Sequence, residues 1–312
     1  MNKKKKKEEY LGRGIHNEKF LNALKFGKLK PLMEVINNDN QLDVQIRNNY
    51  LNIYYSGGNI AKVNSENSVQ FDRKYFYTDM KNLPTKYIAD DKLDELTTQR
   101  NDLIYKFKEG NFEEYFFEAK QVMDKWFAEK PNPERKEQHQ LSIQNRFGKS
   151  DYTIIDIEYQ VSTKSKFCCS FVPNGKSKPK TPRFDIIAVS KTGKLCIIEL
   201  KKGSRALRGA SGLKEHYKCY KYSIGKNHKP FMNEMRNLLV QKQDLKLINN
   251  QVKITSSEPQ FMFAYSFDES DKKIQLCNFK NEYKAIGKNI QVIWLEDESW
   301  KLLDNNSEFQ NS

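Results

Sequence analysis

The sequence predicts an α/β (α+β) protein: a mixed central sheet flanked by helices, preceded by an N-terminal α+β part built on a small antiparallel meander. Three observations lead there. Residues 42–54 alternate apolar and polar side chains with period two, the mark of half-buried strands. Helical patterns then run to a break at Lys130-Pro131-Asn132-Pro133. Beyond it, two apolar, β-branched runs flank Lys191-Thr192-Gly193, as in a buried hairpin.

The 312 residues exceed the length of about 250 at which single cores stop growing, so two domains are expected, 1–130 and 131–312, with the boundary near Pro131. Apolar residues make up 38% of the chain, with only 14 Gly and 9 Pro, a composition able to bury a core. No apolar run approaches the roughly 20 residues that span a bilayer, and Lys3 to Lys7 are followed by no apolar signal segment. A soluble, cytoplasmic protein without a membrane partner is therefore expected. The cysteines Cys168, Cys169, Cys196, Cys219 and Cys277 show no C-x-x-C pairing, which suggests free thiols rather than disulfides or a zinc site.

Taken in order, Lys19 to Ile36 carries helical periodicity that Pro31 splits in two. Leu42 to Ile46, Tyr50 to Tyr54 and Ile60 to Val63 read as three strands joined at Asn48-Asn49 and at Ser56-Gly57-Gly58-Asn59. Leu93 to Lys108 and Phe112 to Phe127 read as helices separated at Gly110-Asn111. After the break come a helix at Glu134 to Asn145, a strand at Tyr152 to Val161, a basic loop, the strand pair Phe184 to Leu200 and a helix at Ala206 to Tyr222. Pro230 to Ile248 is helical, and Gln260 to Ser266, Lys273 to Phe279 and Ile290 to Leu295 read as later strands.

The hairpin's register decides its chemistry. A two-residue turn at Thr192-Gly193 would set Asp185 opposite Leu200 and on the other face from Glu199. A three-residue loop with Gly193 left-handed pairs Ser190 with Lys194 and sets Asp185 opposite Glu199, and the glycine's position favours this case. Lys201, two residues on, then shares their face. Directly opposed residues have Cβ atoms about 4.5–5.5 Å apart, close enough for two carboxylates to share one divalent ion. Charged residues in strands otherwise apolar on both faces are costly unless paired or metal-bound. An E-x-K by itself also occurs in exposed strands, where it is a solvated ion pair.

The net charge of +14 points to a polyanionic partner, and its location is informative. Six basic residues and no acidic one lie between Gln160 and Phe184, and nine lie from Lys201 to Lys229 against Glu215 alone. Together these stretches carry the whole excess, on either side of the hairpin. Lys178, Lys180, Arg183, Lys202, Arg205 and Arg208 are the candidate phosphate-binding residues. A flexible solubilising loop is the alternative, and the Lys3 to Lys7 run is assigned no function.

With helix, strand, Asp185, Glu199-Leu200-Lys201 and helix in this order, residues Glu134 to Tyr222 resemble the PD-(D/E)xK nuclease superfamily. The superfamily's proline is displaced here, Pro182 being separated from Asp185 by Arg183 and Phe184. The resemblance implies a restriction-endonuclease-like fold and a catalytic set of Asp185, Glu199 and Lys201. Asp185, Glu199 and the Leu200 carbonyl would hold Mg2+ or Mn2+, and Lys201 would orient or activate water. Glu134 or Glu137 on the preceding helix is a further candidate ligand, with an exposed helical face as the alternative. His216 and Tyr220, at i and i+4 on the following helix, are candidate accessory residues. The other reading of these two places Tyr220 in the core and His216 on the surface.

The expected function is a metal-dependent nuclease hydrolysing phosphodiesters. By resemblance its substrate is DNA, restriction or phage defence is the favoured setting, and a homodimer is a possible assembly. The alternatives are an inactive nuclease-like domain that only binds nucleic acid, and an effector whose N-terminal part recognises a partner or substrate.

Overall fold

The computed structural model describes residues 12–65, 68–76, 90–148, 150–161, 182–209, 212–225, 228–267, 271–295 and 301–303. It is a mixed α/β protein with two sheets. Among the described residues no helix is long and apolar enough to cross a membrane.

The N-terminal part opens with α1 (Glu18–Lys25), capped by the Asn17 side chain, which accepts from Phe20 N. Pro31 lies in the first turn of α2 (Lys30–Asn38), where its missing N–H costs nothing, so it starts the second helix. The meander follows as β1 (Leu42–Ile46), β2 (Leu51–Tyr55) and β3 (Gly58–Ser65), with a fourth strand, β4 (Ser68–Gln70), too short to be legible in sequence. All three pairings are antiparallel. Helices α3 (Asp90–Lys108) and α4 (Phe112–Glu129) pack over it, and the buried Tyr115 hydroxyl donates to the Ile60 carbonyl at 2.6 Å.

The chain breaks at Lys130 to Asn132 and resumes in α5 (Pro133–Gln144), capped by Asn132. The second sheet has the order β5 (Tyr152–Gln160), β6 (Arg183–Ser190), β7 (Leu195–Lys202), β8 (Gln260–Ser266), β9 (Gln291–Leu295). β5, β6 and β7 are antiparallel neighbours, whereas β7–β8 and β8–β9 are parallel. Each parallel step needs a crossover, and helices supply it. Helices α6 (Leu213–Tyr220) and α7 (Lys229–Asp244) lie between β7 and β8, and α8 (Lys272–Lys284) between β8 and β9.

Helix α8 corrects the strand expected at Lys273 to Phe279. The alternation of Ile274 and Leu276 suggested a strand, but Asp271 caps a helix by accepting from Lys273 N and Ile274 N. Gln275 and Phe279, four apart, form its buried stripe. The helix expected at Ala206 to Tyr222 is likewise broken. A 3-10 turn at Ser204–Leu207 precedes α6, and a π turn at Lys221–Gly225 follows it.

The second sheet is apolar on both faces. Ile186, Ala188, Cys196, Ile198, Met262 and Ile293 pack on one side with Leu141 of α5. Ile187, Val189, Leu195, Ile197, Phe261 and Phe263 belong to the other side, whose cluster continues without interruption into the meander and its helices. Buried polar groups reinforce that junction. Asp156, 0% exposed, receives Arg13 Nε at 2.8 Å and is also paired with Arg47, while Asp43 accepts from Ser142 Oγ at 2.8 Å. Lys242 Nζ donates to Gln45 Oε1 at 3.1 Å. The two parts expected from length meet at α4–α5 and share one core.

Candidate metal-binding site on the β6–β7 hairpin

The hairpin carries the three-residue loop. Ser190 N donates to Lys194 O at 2.9 Å, Gly193 N donates to Ser190 O at 2.9 Å, and Gly193 has φ +81. Glycine is required there twice over, because a Cβ would also meet Thr255 Oγ1 at 2.3 Å. Pairing then runs Val189 with Leu195 to Ile186 with Ile198. One step further the same register sets Asp185 opposite Glu199. Since Ser190 and Lys194 form a hydrogen-bonded pair, alternation makes the Asp185–Glu199 position a non-hydrogen-bonded one, where side chains approach most closely.

The two carboxyls differ in exposure. Asp185 is half-buried at the open end of the hairpin, whereas Glu199 is 0% exposed on a strand flanked by β6 and β8. The expected alternative of a solvated pair at a sheet edge therefore does not describe Glu199. Burial, then the neighbouring Glu199, pushes the Asp185 carboxyl up to about 7. Burial likewise pushes Glu199 up to about 7, although Lys201 opposes it. Lys201 is buried on the same face, at 6% exposure.

Asp185 Oδ2 accepts from Leu200 N at 3.0 Å. The N–H and C=O of one strand residue point to the same side, so the Leu200 carbonyl is directed toward Asp185 as well. Neither Glu199 oxygen has a well-formed hydrogen bond. His216 Nδ1 lies 2.6 Å from Glu199 Oε2. Burial, assisted by Lys201, lowers the His216 pKa to about 4, so this contact is not an ion pair at neutral pH.

A fully buried carboxylate, beside a second carboxylate and a main-chain carbonyl, is an all-oxygen donor set suited to a hard divalent cation. Among the described residues no three His, Cys, Asp or Glu side chains form a ready-made metal cage. The fit therefore rests on those two carboxylates and the carbonyl.

The other expected residues are distributed as follows. His216 reaches Glu199, but Tyr220 does not point into the site: its hydroxyl donates to Pro259 O at 3.1 Å and its ring stacks on Phe261 at 4.9 Å. Glu137 is bonded to Lys202 Nζ at 2.6 Å, and Lys202 alternates to the face opposite Glu199 and Lys201. That placement corrects the expectation of a Glu137 ligand. Glu134 lies exposed in the first turn of α5. Of the basic residues, Arg183 pairs with Glu158 at 3.3 Å and Arg208 with Glu282 at 2.5 Å, while Arg205 is exposed. Lys178 and Lys180 lie outside the described residues.

The sequence reading missed Gln138, whose Nε2 donates to the Asp185 carbonyl at 3.2 Å and ties α5 to the hairpin. Its signal was its three-residue spacing from Leu141, which faces the same sheet. No protein-family model, curated protein or solved structure matches the chain.

Proposed function

We propose that this chain is a metal-dependent nuclease of the PD-(D/E)xK type, with a restriction-endonuclease-like second sheet and with DNA as substrate. The observation that carries the proposal is the register of the hairpin, with buried Glu199 opposite Asp185 and Lys201 on the same face. Asp185, Glu199 and the Leu200 carbonyl would hold Mg2+ or Mn2+. When bound, the cation supplies Lewis-acid polarisation of the phosphate and a water acidified toward neutral pH.

The chain's own residues do the rest. Lys201, buried on the same face as the two carboxyls, would hydrogen-bond the attacking water and neutralise negative charge developing on the phosphate. Glu199, held against His216 Nδ1, is fixed in place by the central strand. Arg205, exposed just after β7, offers the phosphate backbone a positioning contact. Arg183, Lys202 and Arg208 would have to exchange their glutamate partners for phosphate oxygens.

The test is a cleavage assay at low salt on supercoiled, linear duplex and single-stranded DNA and on RNA, with Mg2+ or Mn2+. Cleavage of DNA that EDTA abolishes, and that Asp185→Ala, Glu199→Ala and Lys201→Ala each reduce by about a hundredfold or more, is the expected result. Equal activity in wild type and variants would sink the proposal.

A further inference from the structure

The second sheet is interrupted beside Asp185. The β5–β6 pairing passes from Ile157 with Ile186 to Tyr159 with Phe184 and skips Glu158 and Asp185. Glu158 has φ +51, a left-handed conformation that a residue with a side chain seldom takes. Two contacts hold it there. Its carbonyl accepts from Arg13 Nη2 at 2.9 Å, and its carboxylate pairs with Arg183 Nη1 at 3.3 Å. Breaks of this kind re-aim side chains, and strained residues gather at functional sites.

At the interruption the Asp185 carbonyl accepts from Gln138 Nε2 at 3.2 Å, a donor from outside the sheet. The carboxyl of the same residue accepts from Leu200 N at 3.0 Å. Asp185 is thus held by β7 through its side chain and by α5 through its main chain. Helix α5 covers the face of the sheet away from Glu199, so Gln138 acts on the ligand set through the Asp185 main chain. The helix is itself anchored to the meander. Ser142 Oγ donates to Asp43 at 2.8 Å, Arg146 Nη1 donates to the Leu42 carbonyl at 2.8 Å, and a Cβ on Gly57 would meet the Arg135 main chain at 2.7 Å.

We propose that Gln138 is a positioning residue of the metal site, fixing the main chain from which the Asp185 carboxyl faces Glu199. The inference rests on the reading of Asp185 and Glu199 as metal ligands. Without the Gln138 donor the Asp185 main chain at the break in the sheet is free to shift, and the two carboxyls meet a cation less well. Groups that orient a ligand without touching the metal typically change its affinity about 10–100-fold when removed.

Calorimetric titration of Mn2+ at pH 8 into the wild type, Gln138→Met, Glu158→Gly and Glu158→Val tests this, with unfolding midpoints in EDTA as the check on the fold. Gln138→Met keeps the length of the side chain and removes the donor. It should weaken Mn2+ binding about tenfold and raise the Mn2+ needed for half-maximal cleavage by the same factor, while the rate at saturating Mn2+ stays within about twofold of wild type. Both Glu158 variants lose the Arg183 pair, but glycine suits φ +51 and valine opposes it, so Glu158→Val should bind Mn2+ more weakly than Glu158→Gly. Gln138→Met that binds Mn2+ as tightly as the wild type, a loss of saturated rate without a change in affinity, or Glu158 variants that bind alike would overturn the inference and leave the nuclease reading intact. Wild-type protein that binds no Mn2+ would overturn both.

Discussion

At Glu199 a carboxyl is buried completely on a central strand without a well-formed hydrogen bond, beside a second carboxyl that burial also holds at about 7. Packing alone offers no compensation for such a pair. Both groups keep their protons to about 7 in the fold, against ordinary carboxylate values near 4. The folded chain therefore binds more protons than the unfolded chain between those limits. The stability that these two groups contribute without metal is full below about pH 4 and declines as the pH rises to about 7. Glu199→Gln removes the charge, so in EDTA at pH 8 it should raise unfolding free energy by about 1–3 kcal/mol while abolishing cleavage. Urea unfolding at pH 5 and pH 8 checks this, since the gain should shrink at the lower pH. His216→Ala removes the group nearest Glu199 Oε2 and should reduce cleavage less than Asp185→Ala does, because His216 supports a ligand without being one in this account.

The hairpin shows what a sequence can disclose about an element. Its two apolar runs and the glycine at the third loop position were enough to fix the register, because Gly193 is the residue that a left-handed third position demands. Gly193→Ala should cost about 1–3 kcal/mol, since φ is +81 and the new Cβ would press on Thr255 Oγ1. Denaturant midpoints measure that loss. Helix α8 was misread because Ile274 and Leu276 mimic strand alternation, while the deciding signals were the Asp271 cap and the Gln275–Phe279 stripe. Glu137 was misjudged for a different reason. Helical spacing shows which residues share a face, but not which face of the sheet the helix covers, and α5 covers the side away from Glu199.

In the whole molecule, the length that suggested two domains gave no indication that the halves share a core. The contacts that join them, Arg13 and Arg47 on Asp156 and Lys242 on Gln45, link residues far apart in sequence and follow no spacing rule. Burial raises the Asp156 carboxyl, but Arg13 and Arg47 outweigh it and hold the group below its ordinary value. Asp156→Ala would leave two guanidiniums buried without their partner and should cost about 3–5 kcal/mol. Unfolding followed by circular dichroism and by tryptophan fluorescence should give one coincident transition, because Trp126 and Trp294 belong to one cluster. For the same reason a 131–312 fragment, which lacks Arg13 and Arg47, should fail to fold, and its amide proton spectrum would show this.

The central claim is that Asp185 and Glu199 together hold a divalent cation. Calorimetric titration of Mn2+ into the metal-free protein at pH 8 tests it most directly. The account predicts saturable binding in the wild type, lost in Asp185→Asn and in Glu199→Gln. Wild-type protein that binds no Mn2+, or variants that bind it as tightly as the wild type, would contradict it.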